Sequence, residues 1–142
     1  MYEYDWTRTV SGATPQQCFD VVSDPARAKD WVSMASEVRA EGEPGEGRVL
    51  HISAGLIGVT INLEATVTTW DEPTTYAYGG EKPFHQHMRF TFTPDGDDTA
   101  LRCQVEFDPG KFFKFGTAKV AARTFAKQFE GDLDRLVRLI ES

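Results

Sequence analysis

The sequence predicts an α+β fold in which a curved, seven-stranded antiparallel sheet wraps a long C-terminal helix, with two short helices between the first and second strands. Three observations carry this. The last thirty or so residues, Lys111 to Ser142, read as one amphipathic helix: Phe125, Phe129, Leu133, Leu136 and Ile140 recur at steps of three or four, while Lys127, Glu130, Asp134, Arg135 and Arg138 fill much of the remaining surface. Upstream, seven runs of alternating side chains are separated mostly by hairpin-sized gaps, too short for the crossovers of about a dozen residues that a parallel sheet requires. Between the first two runs, two cap-plus-proline signals mark short helices. A terminal helix of this length spans about 45 Å at the standard rise, so it needs a broad apolar surface to lie on, and a curved sheet provides one.

The elements follow in order. Tyr2 to Val10 form the first strand, with Tyr4, Trp6 and Val10 on one side. Thr14 can cap the next turn, Pro15 suits a first helical position and Gln17 can return the hydrogen bond, so a helix begins at Thr14 and turns Phe19 and Val22 inward. Asp24-Pro25 repeats the arrangement and leads through a second short helix to Trp31 and Met34. Ser36–Glu41 and Arg48–Ala54 make a hairpin about the turn-rich EGEPGEG segment. Gly55–Gly58 is a turn, Val59–Trp70 a long strand, and Asp71-Glu72-Pro73 a break before Thr75–Gly80. The strands Phe84–Thr93 and Thr99–Phe107 flank a turn from Pro94 to Asp98.

Composition narrows the function classes. A chain of 142 residues without linker, repeat or low-complexity tract is expected to form one domain, residues 1–142. Fifteen basic against twenty-two acidic residues give a net charge of −7, and no basic cluster follows a phosphate backbone, which argues against nucleic acid as a partner. Cys18 and Cys103 read as small buried hydrophobes, consistent with a reducing cytoplasm. The start MYEYDWTRTV has neither a basic leader nor a continuous apolar run, and no window approaches the roughly twenty apolar residues needed to cross a bilayer, so stable membrane insertion is not expected.

Alternation along the strands points to a container. Ile61, Leu63, Ala65 and Val67 share one face against Asn62, Glu64, Thr66 and Thr68; Met88, Phe90 and Phe92 oppose His87, Arg89 and Thr91; Leu101, Cys103, Val105 and Phe107 oppose Arg102, Gln104 and Glu106. A gap between the apolar face and the terminal helix would be lined by Leu50, Ile52, Ile61, Leu63, Tyr78, Met88, Phe90, Cys103, Val105 and Phe125, with Trp31 and Met34 beside its mouth. An ordinary filled core would use the same side chains. Phe112, Phe113 and Phe115 either close one end of a cavity or anchor the start of the helix. His85 and His87 share a strand face, but that face is wet and charged, which reads as ordinary exposed histidines and not as a metal site; Glu64 and Glu106 are expected to pair with Arg89 or Arg102. No phosphate-cradling glycine loop, nucleophile elbow or Cys–His pair occurs, so no cofactor and no catalytic residue is indicated.

The first strand, the segment TPQQCFDVVSDPARAKDW through Trp31, the hairpin series and the terminus AARTFAKQFEGDLDRLVRLIES together resemble the helix-grip (SRPBCC or START-like) superfamily, which includes birch-pollen-allergen-like proteins and bacterial polyketide cyclase/dehydrase-like proteins. The resemblance covers nearly the whole chain. It implies a cavity between sheet and helix that binds or transports a small hydrophobic molecule, a lipid or polyketide-like metabolite, in a monomer or homodimer. It also admits a polyketide cyclase or dehydratase-like enzyme, or a partner-regulating domain with a filled core. It carries no catalytic residue across to this sequence.

Overall fold

In the computed structural model, which describes residues 1–114 and 116–142, the elements run β1 (Tyr2–Val10), α1 (Pro15–Val22), a 3-10 helix (Pro25–Asp30), β2 (Ala35–Glu41), β3 (Val49–Leu56), β4 (Val59–Asp71), β5 (Thr75–Lys82), β6 (His85–Asp95), β7 (Asp98–Asp108) and α2 (Ala118–Glu141). The sheet order is β1-β7-β6-β5-β4-β3-β2, with every neighbouring pair antiparallel. Strands β2 to β7 form an uninterrupted meander, and β1 joins the far edge, beside β7. The sheet curves around α2, the helix-grip arrangement that the patterning predicts.

Local chemistry accounts for the helix starts. Thr14 Oγ1 accepts from Gln17 N at 3.2 Å while Gln17 Oε1 accepts from Thr14 N at 2.8 Å, satisfying two of the orphan donors at the start of α1. Asp24 Oδ1 accepts from Ala26 N at 3.0 Å, but the segment that follows is a single 3-10 stretch with no fully buried residue. At the other end, α2 begins at Ala118, not Lys111. Gly110 (φ 52°) and Gly116 (φ 82°) adopt left-handed backbone on either side of a segment in which Thr117 N and Oγ1 both bond to Lys114 O, at 2.9 and 2.6 Å. The helix is therefore about 36 Å long. The expectation for Phe115 lies outside the described residues.

The docking of α2 follows from two periodicities that nearly coincide. Alternate residues of β1 face the helix: Tyr4 Oη donates to Ala122 O at 3.2 Å, Trp6 Nε1 to Glu130 Oε1 at 3.1 Å and Arg8 Nε to Asp134 Oδ1 at 2.8 Å. Two residues of strand advance about 6.8 Å and four of helix about 6 Å, so the step from Trp6 to Arg8 meets the step from Glu130 to Asp134. The helix buries Ala121, Ala122, Phe129, Leu133 and Leu136 against the sheet, while Phe125 and Ile140 are partly buried at the margin of that stripe.

The sheet is not evenly paired. Between Glu64↔Lys82 and Thr66↔Gly79, β5 sets two residues, Gly80 and Glu81, against Ala65 alone of β4, which makes a bulge. A Cβ at Gly79 would sit 2.6 Å from Gln86 O, and one at Gly80 would collide with Glu64 O, so neither position admits a side chain without backbone movement. The space above Gly80 is used by Gln86, whose Nε2 donates to Glu64 O at 3.3 Å.

Candidate ligand-binding cavity

A cavity of about 150 Å³ lies between the concave face of the sheet, α2 and the segment after the 3-10 helix. Nine residues singled out from the alternation line it: Trp31 and Met34 from that segment, Ile52 from β3, Ile61 and Leu63 from β4, Tyr78 from β5, Met88 from β6, Val105 from β7 and Phe125 from α2. Leu50 and Phe90 instead line a smaller chamber of about 70 Å³, whose wall also includes Trp31, Ile52 and Tyr78. Cys103 lines neither chamber and is fully buried, and burial raises its thiol pKa well above the ordinary range.

The end of the cavity is aromatic. Phe113 is buried and lines it, while Phe112 is exposed and packs edge-on against Phe84 at 5.3 Å. Phe113 thus closes the chamber, whereas Phe112 holds the turn before α2. Phe84, Phe107 and Phe129, not singled out from the sequence as site residues, also form walls. Their signal was the same inward alternation and helical stripe, read there as packing.

Three polar residues of the sheet, Tyr78, Gln86 and His87, line this apolar chamber. The Tyr78 hydroxyl donates to Met88 Sδ at 3.2 Å, and burial holds its pKa far above the usual phenol value. Gln86 also lines the cavity and was missed. Its signal was legible: in the inward series Phe84, Gln86, Met88, Phe90, Phe92, it is the one polar residue. Trp31, 4% exposed, lines both chambers, and its Nε1–H has no hydrogen-bond partner among the described residues.

A buried carboxylate positions the segment that covers the cavity. Asp132 is 1% exposed on α2; its Oδ2 accepts from Ser33 N at 3.0 Å and its Oδ1 from Arg135 Nη1 at 3.1 Å. Arg135 Nη1 also donates to Trp31 O at 3.2 Å, so one helix turn grips residues 31 and 33, between which Val32 reaches the cavity.

The outer face carries charged grooves of about 410 and 400 Å³, lined among others by Asp5, Arg89 and Glu106 and by Glu37, Arg39 and Glu64. They offer water and ions where the inner chamber offers hydrocarbon. The expected pairing of Glu64 and Glu106 with Arg89 or Arg102 is corrected for two of these groups: Arg102 forks onto Asp5, and Glu106 lies 3.3 Å from His85. The reason is topological, since β1 lies beside β7 and brings Asp5 diagonally opposite Arg102.

His85 and His87 are expected to titrate on opposite sides of the ordinary imidazole value. Hydrogen bonding of His85 Nδ1 to Glu81 at 2.6 Å, then to Glu106, raises the pKa of His85; burial lowers that of His87, whose Nε2 lies 3.4 Å from Thr68 Oγ1. The His85 contacts therefore add stability below about pH 6.5 that disappears as pH rises through the raised folded value, whereas burial of His87 subtracts stability as pH falls below about 6.5. Following both imidazole Cε1–H resonances against pH checks this; coincident midpoints would refute it.

Comparison with known proteins places these features. No curated protein matches the sequence. Among solved structures, the fold is shared with TTHA0849 from Thermus thermophilus (TM-score 0.80, 14% identity, covering 98% of this chain and 97% of that one). A START superfamily protein from Mycobacterium smegmatis is similar at TM-score 0.73 and 15% identity, over 97% of this chain and 98% of that one. The di-domain ARO/CYC BexL of the BE-7585A biosynthetic pathway aligns at TM-score 0.69 and 18% identity, over 99% of this chain and 50% of that one. At these identities the likeness is one of fold. The family described as polyketide cyclase / dehydrase and lipid transport matches residues 1–141, and the chain belongs to that family.

Proposed function

We propose that this protein binds a small hydrophobic molecule, such as a lipid or polyketide-like metabolite, in the chamber between sheet and α2, and releases it intact. The observation that carries the reading is the apolar chamber itself, walled by aliphatic and aromatic side chains from the sheet, α2 and the segment after the 3-10 helix. Among the described lining residues there is no Asp, Glu, Lys or Arg, and the histidine, His87, is held toward its neutral form by burial. Tyr78 keeps its proton far beyond neutral pH, so it orients a ligand by hydrogen bonding and is poorly suited to acid–base exchange. That favours carriage over turnover, the activity that the likeness to an ARO/CYC protein brings into view.

The volume sets the scale. A dry apolar cavity of about 150 Å³ accommodates a benzene-sized molecule, whereas drug-sized ligands occupy roughly 300–1,000 Å³. A chamber of this volume takes one ring and a short substituent, and extension of a ligand into the smaller chamber requires movement of Trp31, Ile52 or Tyr78, which line both. Propylbenzene is expected to shift the methyl resonances of Ile52, Leu63 and Met88 saturably. An Ala54→Phe variant, which fills the chamber from β3, is expected to lose that response while keeping a dispersed spectrum. Absence of saturable shifts in the unmodified protein would sink the proposal.

A further inference from the structure

The geometry points to a neutral, hydroxyl-bearing ligand for this cavity, about the size of a substituted benzene ring, with its hydroxyl between Tyr78 and Gln86 and its hydrocarbon against the aromatic end formed by Phe84, Phe113 and Phe125. This assignment rests on the container reading and narrows its chemistry. Tyr78 pairs with Met88, and Gly80 with Gln86, so Tyr78 and Gln86 are diagonal neighbours on the inner face, about 7–8 Å apart at their backbones. Side chains of that length leave room for one hydroxyl to reach both.

Each partner has spare capacity of a particular kind. Gln86 is held through Nε2, which donates to Glu64 O at 3.3 Å, and this orients its carboxamide and leaves Oε1 as an acceptor. The bulge at Gly80 and Glu81 creates that anchor, because the absence of a side chain at Gly80 lets the Gln86 carboxamide approach β4. Tyr78 donates to Met88 Sδ at 3.2 Å. A thioether is a weak acceptor, so a ligand oxygen replaces it with gain. Trp31 adds a further donor in the wall, its buried Nε1–H being without a partner among the described residues. The enclosure thus presents donors and an acceptor together, and a hydroxyl is the smallest neutral group that answers both. A hydrocarbon leaves them unanswered, and a carboxylate brings a charge for which the described lining holds no Lys or Arg, only His87, which burial keeps toward the neutral form.

Calorimetric titration at pH 7 with 4-propylphenol, propylbenzene and 4-propylbenzoate tests this with matched hydrocarbon bulk. The phenol is expected to bind about tenfold more tightly than propylbenzene, the benefit of one to two neutral hydrogen bonds, and the benzoate more weakly than either. In Tyr78→Phe and Gln86→Leu the preference for phenol over propylbenzene is expected to fall toward unity, while propylbenzene affinity is kept and reports an intact chamber. Equal binding of phenol and propylbenzene to the unmodified protein, or tightest binding of the benzoate, would overturn the hydroxyl assignment and leave the container standing. Failure of all three to bind would overturn both.

Discussion

Replacing Phe129 by alanine is expected to cost about 3–5 kcal/mol of folding stability, the range for removing a buried aromatic side chain. Phe129 is 2% exposed on α2, and its ring centroid lies 5.6 Å from Trp6, 5.9 Å from Trp31 and 5.3 Å from Phe125. It therefore joins the edge strand β1, the covering segment and the helix at one point. Because Phe129 also lines the cavity, the truncation enlarges a chamber that already exists, so the surroundings have little means of collapsing into the space. The variant is expected to regain part of its loss in saturating naphthalene, by roughly 2.7 kcal/mol at a hundred times the dissociation constant, and the unmodified protein to gain less. Urea unfolding with and without naphthalene measures both. A loss below about 1.5 kcal/mol would show that the contacts are dispensable, and a loss without ligand rescue would show that the new space is not continuous with the chamber.

The architecture was legible because each element carries its own local signal. The capping box at Thr14, the period-two strands and the apolar stripe from Phe125 to Ile140 are properties of short windows, and the structure keeps all three. What short windows do not contain is which strands become neighbours. The β1–β7 pairing joins residues about a hundred apart, and it gives Arg102 its partner Asp5; Glu106 is instead taken by His85 across the β6–β7 hairpin. The start of α2 failed for another reason: Lys111 to Thr117 has helix-compatible hydrophobicity, but burial of Phe113 against Leu56 and Ile61 competes with helical continuation, and two glycines in left-handed backbone accommodate the turn.

The site followed the same division. Its walls are alternation residues and could be named from the sequence. Its polar features lie where a regular pattern is broken: Gln86 in an inward series of Phe and Met, Asp132 among the inward residues of α2. Pattern reading counts such residues as noise. Their value shows only when the bulge at Gly80 and the covering segment at Ser33 supply the groups that they bond.

The covering segment gives the second large effect. Asp132→Ala is expected to destabilise the protein by about 3 kcal/mol, whereas Arg135→Ala is expected to cost less, about 1–2 kcal/mol. The asymmetry comes from burial. The Asp132 side chain is 2% exposed and is the acceptor for Ser33 N, so its removal leaves a backbone donor without its partner; the Arg135 side chain is 45% exposed, so its removal lets water reach Asp132 Oδ1 and Trp31 O in its place, while Asp132 keeps the bond from Ser33 N. Asp132→Asn keeps an oxygen for Ser33 N and is expected to fall between the two. For a chain of this size the alanine change at 132 corresponds to a melting temperature lower by about 6–12 °C. Hydrogen exchange separates a local role from general weakening: the Ser33 amide and its neighbours, which adjoin the cavity residues Trp31, Val32 and Met34, are expected to lose protection beyond the global change. If exchange rises uniformly over the sheet and α2, Asp132 supports the core as a whole and does not hold the cover of the chamber. If it rises first at residues 31–35, the same carboxylate that stabilises the fold also sets how often the cavity opens.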